Sequence, residues 1–472
     1  KDTVWYAIFP ERFNNGDTSN DPVGTLPWGS ITEYSNRQHF GGDLQGVVDA
    51  LDYIQSIGFT GIYLKPIFRS DSTHKYDVND YYDVDPQFGD KAVLRTLVDE
   101  AHKRGIKVML DSVYNHCGFR HPFFQDVVRH GRKSKYYDCF YVIDDTKPMI
   151  NFDVDADGRI VRESARPIFR DKSLLNYRSF AFTPYMPKIK ADHPIWKEHL
   201  LGAATYWINE FHIDGWRLDV SNEVSHAFWR DFRTAVKAAD PDVYITGENW
   251  DNAMPWLGGD QYDGVMNYEL LFPIWSYFGT TDEFPRTSGT HFKYKVNQVL
   301  TQYPKNVLPS LYNLVDSHDT TRILQICGND RTRVRLPYLF LFSFPGAPSV
   351  YYGGEIGLSG KHDPDNRRCM IWDEAEQDRE LLAFIRRLIE LRRTHYAFRA
   401  VDIDWIEAGD DRLIYRKDDI YFYLNNSTAP QEWILLEDLR DRPLLDLYRD
   451  KPVAPARTIT IEPLSFRIVQ PQ

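Results

Sequence analysis

The sequence is poor in cysteine. Four stand in 472 residues, at Cys117, Cys139, Cys327 and Cys369, and no two have the spacing of a metal or redox site. Sparse, scattered thiols point to a reducing compartment, so a cytoplasmic protein is expected. Apolar runs of membrane-spanning length are missing too, which argues against a transmembrane segment. The first residues, Lys-Asp-Thr-Val-Trp, do not read as a signal peptide. Positive charge is in deficit: 56 Lys and Arg against 68 Asp and Glu leave a formal net charge of −12. An acidic chain repels phosphate backbones and anionic lipids, so no nucleic-acid and no membrane partner is expected, and a neutral substrate fits better.

Aromatic residues, by contrast, are plentiful: 12 Trp, 29 Tyr and 28 Phe, 15% of the chain. Amphipathic rings suit the apolar faces of sugars. Composition alone favours the plainer reading, an aromatic core. Apolar residues at 42% and charged residues at 26% describe an ordinary globular protein, and the length suits a large barrel with a smaller companion.

Short apolar runs alternate with helical patterns over the first 400 or so residues. Strands are expected at Val4–Phe9, Gly61–Ile67, Ile106–Val113, Ile213–Val220, Val243–Gly247, Tyr262–Asn267, Leu311–Val315 and Ser349–Tyr352. Leu44, Val47, Val48, Leu51 and Ile54 mark one face of an intervening helix. Eight repeated β-α units with apolar strands imply an α/β fold, a (β/α)8 TIM barrel. The competing open, doubly wound sheet lacks its GxGxxG phosphate loop. An inserted domain follows the third strand, at 117–190, where the sequence becomes polar and irregular. The barrel then occupies 1–116 and 191–399. From 400 to 472 short strands separated by turns predict a C-terminal all-β sandwich.

Catalytic residues of such barrels sit at the C-terminal ends of strands. Here those ends carry polar clusters: Asp111-Ser-Val-Tyr-Asn115-His116, Gly215-Trp-Arg217-Leu-Asp219, Gly247-Glu248-Asn249-Trp250 and Asp316-Ser-His318-Asp319. Three carboxylates, Asp219, Glu248 and Asp319, would converge on one mouth. Two suffice for glycoside hydrolysis, one as nucleophile and one as acid. Arg217 and Asp219 are two apart and share a face, so the arginine is expected to keep Asp219 ionised. A drier setting beside Trp250 is expected to raise the Glu248 pKa. Taken singly, each acid reads as a helix cap and Arg217–Asp219 as a structural ion pair. Their joint placement at four strand ends favours chemistry.

These segments, DSVYNH, GWRLDVSNE, GENW and SHD, resemble the ordered motifs of the α-amylase family, glycoside hydrolase family 13. MPKI (Met186–Ile189), Asn222-Glu223, HFGGDLQG (His39–Gly46) and HKYD (His74–Asp77) resemble the neopullulanase, cyclomaltodextrinase and maltogenic amylase group in particular. The resemblance implies a retaining hydrolase of α-1,4-glucosidic bonds in maltodextrins, cyclodextrins, pullulan or starch, with transglycosylation as a side activity. An α-1,6-glucosidase on the same fold is the alternative. Residue by residue, it makes Asp219 the nucleophile, Glu248 the acid/base and Asp319 the third carboxylate. Tyr76, His116, Arg217 and His318 would hold the −1 sugar or the nucleophile, Asp363 and Arg367 sugars further toward the non-reducing end, and Glu223 and Trp250 the leaving-group side. Asp111 and Asn115 would be structural. Gly354 replaces an Asp common in related chains.

Asn15, Asp17, Asn20 and Asp21, with Gly41 and Asp43 nearby, form a cluster of hard oxygen donors. Such donors suit Ca²⁺ better than zinc, though the same residues dominate plain turns. The resemblance implies calcium. It also implies an extra N-terminal β-domain that builds dimers, whereas here the barrel pattern begins at Trp5. A monomer with an open cleft is therefore expected, better on starch relative to β-cyclodextrin than its longer relatives.

Overall fold

The computed structural model describes residues 2–31, 33–282 and 284–472. Eight short parallel strands form its centre: β1 (Trp5–Ile8), β2 (Gly61–Leu64), β3 (Lys107–Val113), β4 (Gly215–Asp219), β5 (Tyr244–Gly247), β6 (Gly264–Val265), β7 (Tyr312–Asn313) and β8 (Ala347–Tyr351). Each pairs with its neighbour in chain order, and β1 pairs with β8. The last gap, between β6 and β7, closes through a single parallel bridge from Met266 to Tyr312. The chain is thus an α/β barrel, as the alternation of the sequence predicts.

The helices outside follow from local sequence. Lys91–Lys103 starts at Asp90, whose side chain accepts from the Ala92 and Val93 amides. It buries Leu94, Leu97, Val98 and Ala101, one helical stripe, against the sheet. It stops at Arg104-Gly105, where Gly105 takes φ +71°. Strands buried on both faces need no polar alternation, and β1, β4 and β8 are buried throughout.

Between β3 and the helix Pro194–Phe211 the chain makes a long excursion with its own helices, Pro122–His130 and Arg162–Arg170. Its returning limb is tied to the barrel by bridges from His116 to Lys188 and from Phe140 to Ile189. A hairpin after β2, Phe68–Ser70 with Val78–Val84, was not evident in the sequence. Its connecting loop carries Tyr76.

The C-terminal region is an antiparallel six-stranded sheet with a two-stranded ribbon, Gln431–Ile434 with Thr458–Ile461. Strand periodicity explains how it docks. Leu413 and Tyr415 join the barrel's core, whereas Ile414 between them joins a second core with Trp433, Ile459 and Ile461 of the ribbon. Ile420, Phe422 and Leu424 alternate with Tyr421 and Tyr423 in the same way.

Candidate active site

The carboxylates predicted at the strand ends do meet, and one guanidinium joins three acids. Arg217 is fully buried at the inner face of β4. Its Nη1 donates to Asp219 Oδ1 at 2.7 Å and to Asp111 Oδ1 and Oδ2 at 3.0 and 3.1 Å. Its Nη2 lies 3.0 Å from Glu248 Oε2, an ion pair without hydrogen-bond alignment. Asp219 and Glu248 therefore face the same cation from adjacent strands. Asp111, expected to be structural, is wired into this cluster: Tyr63 and Tyr76 also donate to its Oδ2.

Val220 adds a link that the sequence did not suggest. It holds φ 43°, ψ 43°, a left-handed conformation rare for a β-branched residue. That turn aims its amide at Glu248 Oε2, 2.9 Å away. The other oxygen, Oε1, accepts from Trp250 Nε1 at 3.0 Å. The Trp250 ring lies flat on Tyr268, centroids 4.0 Å apart.

These contacts reverse the expected order of acidities. Burial raises Glu248, but Arg217, the Val220 amide and Trp250 outweigh it and hold the carboxyl below its ordinary range. Burial, with Glu248 and Asp111 as like charges, pushes Asp219 well up despite Arg217. A drier setting beside Trp250 was expected to raise Glu248. Trp250 presents its N–H to the carboxyl, and a donor stabilises the carboxylate.

Asp319, 30% exposed, lies 3.3 Å from His318 Nε2 and 3.4 Å from Arg367 Nη2. Burial and Glu248 push it up to about 6. Tyr76 stacks on His318, rings 9° from parallel, and their polar atoms approach to 2.6 Å. Arg367 pairs with Asp363 at 3.3 Å and is fixed by the His318 carbonyl and Asn36. His116 is buried and stacked on Phe180, and among the described residues its Nε2 has no hydrogen-bond partner. A cleft of about 390 Å³ is lined by Tyr76, Phe180, Met186, Asp219, Glu248, Trp250, His318, Asp319, Asp363 and Arg367. Glu223 stands outside it, 2.7 Å from Lys188, in an adjoining groove of about 700 Å³ that shares Asn222 with the cleft.

The N-terminal donors also assemble, in a different loop. Asp43 is saturated by the Gly16, Asp17 and Gly46 amides and by Asn20 Nδ2. Asn15 Nδ2 donates to Asp21, whose Oδ1 crowds Gly41 at φ +81°. Asn15 Oδ1 and Asn20 Oδ1 are buried and have no partner among the described residues. Asp17 caps Ser19 and is exposed. Two orphaned amide oxygens beside carboxylates are a donor set that fits a hard cation. Among the described residues no group of three or more His, Cys, Asp or Glu has metal-holding geometry, so carboxylates alone would not make this site.

Comparison with known proteins places this geometry. The family described as "Alpha amylase, catalytic domain" matches residues 7–386. A cyclomaltodextrinase of Geobacillus thermopakistaniensis is 45% identical over 471 residues, 98% of this chain and 75% of that protein. A solved cyclomaltodextrinase superposes with a TM-score of 0.88 at 40% identity, over 100% of this chain and 78% of that one. The cyclic α-maltosyl-(1→6)-maltose hydrolase of Arthrobacter globiformis gives 0.84 at 34% identity, over 99% of this chain and 98% of its own. A barrel with its acids gathered on one inward arginine and a family match across most of its length lead to one assignment: the chain belongs to the alpha-amylase family of glycoside hydrolases.

Proposed function

We propose that the protein is a retaining hydrolase of α-1,4-glucosidic bonds in maltodextrins, cyclodextrins, pullulan or starch, with transfer to sugar acceptors as a side activity. One observation carries the chemistry: Arg217 holds Asp219 and Glu248 on two nitrogens of one guanidinium. In this reading Asp219 attacks the anomeric carbon as Glu248 gives its proton to the departing glycosidic oxygen. The leaving chain departs as an alcohol and a glycosyl ester forms on Asp219. Glu248, now a carboxylate, takes a proton from water or a sugar hydroxyl, whose oxygen displaces Asp219. Asp319 and Arg367 grip the −1 sugar, and Tyr76 stacks on it.

In the ligand-free site burial and like charges raise Asp219, while Arg217 and two N–H donors hold Glu248 down. Substrate contacts would act in the opposite direction. A glycosidic oxygen accepts from protonated Glu248, and sugar hydroxyls donate to ionised Asp219, so both contacts draw the proton across.

A time course on β-cyclodextrin, pullulan and soluble starch, with product anomers read by NMR, tests the reading. The α-anomer should appear first from each substrate that is cut; initial release of the β-anomer would overturn it. A second reading, cleavage of a cyclic glucan that also contains α-1,6 bonds, is supported by the equal-length relative that hydrolyses cyclic α-maltosyl-(1→6)-maltose. That compound as a fourth substrate separates the two.

The N-terminal loop is proposed as a calcium site, held by Asn15, Asp17, Asn20, Asp21, Gly41 and Asp43. Calcium there would tie the loop after β1 to Asp43 at the start of the first helix, stabilising the barrel without touching the chemistry. A cytoplasmic location is supported by four free, buried cysteines. No helix of the described residues is long and apolar enough to cross a membrane. A monomer is the proposed assembly, and it would leave the cleft open beside Trp250, which is 38% exposed.

A further inference from the structure

Lys65 follows β2 directly and is 1% exposed. Its amide bonds to the Ile8 carbonyl at 3.0 Å, which continues the barrel ladder by one step. Leu64 pairs with Leu110, so Lys65 stands level with Asp111, and Asp111 pairs with Arg217. Tyr63 and Lys65 are two apart and share the inner face. The ammonium lies 3.8 Å from the centroid of the Tyr63 ring, whose hydroxyl donates to Asp111. Among the described residues no hydrogen bond or ion pair joins that ammonium to an acceptor. A lysine buried to this degree costs stability that an apolar side chain of equal length would not.

The charge count around it gives it a task. Asp111, Asp219 and Glu248 share Arg217, and Asp319 shares Arg367 with Asp363. Five acids on two guanidiniums leave an excess of negative charge at the mouth. We propose that Lys65 is a second cation of the catalytic centre, a positioning residue whose charge acts through Asp111, Glu248 and Asp319 to keep the acids in the ionisation state the reaction uses. The inference rests on the catalytic reading above.

The groups that face it are Tyr63 on its own strand, Asp111 on β3, Arg217 on β4, Glu248 after β5, and His318 and Asp319 after β7. Lys65 in turn lowers the pKa values of Asp111, Glu248 and Asp319. Burial and Arg217 bring the ammonium down to about 7, against the pull of those three carboxylates. The charge is thus full below neutral pH and already partly lost at neutrality.

The test is the pH profile of kcat/KM for the wild type, Lys65→Met and Lys65→Arg. Loss of a nearby positive charge raises every carboxyl pKa it touches. Both limbs of the Lys65→Met profile should therefore move up, by about one pH unit. Lys65→Arg should hold both limbs in place whatever its turnover. Coincident limbs for Lys65→Met and wild type would overturn the inference, since a packing role moves rate or stability but not both limbs together. Should Lys65→Met fail to fold, Lys65→Gln is read by the same two outcomes. Asp219→Asn, run in parallel, separates the levels of failure. If it is inactive while the Lys65→Met limbs stay put, this inference alone falls; if it is active, the catalytic reading falls and takes this one with it.

Discussion

Two arginines are buried to the same degree and do opposite work. Arg217, 0% exposed, sits at the mouth of the barrel among carboxylates. Arg392, 2% exposed, sits where β8 begins and meets only neutral oxygens. Its Nη1 donates to the carbonyls of Phe342, Phe344 and Phe398 at 2.6, 3.0 and 2.7 Å, and its Nη2 to that of Gly346. Carbonyls cannot take up a proton, so Arg392 fixes backbone and nothing else. Carboxylates can, so Arg217 sets a protonation state. Burial of a charge is common to both, and the chemistry of the acceptors decides whether the result is a staple or a reaction centre.

The strongest challenge to this contrast lies at Asp219. Asp219→Asn should cut kcat by on the order of 10⁴-fold or more while the melting temperature holds, because the amide is isosteric but cannot form the glycosyl ester. Substantial residual turnover, with deamidation excluded by mass spectrometry, would remove the mouth's claim to chemistry. Glu248→Gln should cost about 10²–10⁴-fold on glucans and much less on a substrate with an activated aryl leaving group. Equal losses in the glycosylation rate on both would show that Glu248 is not the acid.

Arg392→Met asks the opposite question. Several carbonyls lose a charged donor at once, so stability should fall by about 3–5 kcal/mol in denaturant titrations. Turnover per folded molecule should stay as it is; a fall in kcat of the folded fraction would blur the distinction between the two arginines. The smallest effect is expected at a third polar cluster, the N-terminal loop. EDTA should lower the melting temperature by a few degrees through loss of a ligand bound only to the native state. Asp17→Ala should shrink that response, and a melting temperature indifferent to both calcium and EDTA would count against the site.

Much of this was legible beforehand, for physical reasons. Buried parallel strands are apolar runs, so Trp5–Ile8 or Ala347–Tyr351 is hard to miss. Tyr262–Asn267 and Leu311–Val315 were read too long: the observed strands are Gly264–Val265 and Tyr312–Asn313, because that seam closes by a single bridge. Asp404–Ala408 was missed, since its residues are half-buried or exposed and leave no apolar signature. The acids of the cleft showed themselves as polar residues at strand ends. What the sequence could not convey was direction. That Trp250 turns its N–H to Glu248, and that the backbone twist at Val220 binds the same carboxylate, are invisible in a string of letters. Lys65 was hidden inside an apolar run, GIYLKPI. A lysine two residues after an inward tyrosine was the available clue.

The placement of Trp250 also gives the molecule an optical handle. Of the 12 tryptophans it is the one with an exposed ring, and the remainder are buried or half-buried. Collisional quenchers in solution therefore reach its emission before that of any other. Its indole N–H is bound to the carboxylate in question, so light from this one residue carries a record of the Glu248 proton. A maltooligosaccharide in the cleft would shade the ring from acrylamide. Binding and protonation could then be followed in the cuvette with no label attached.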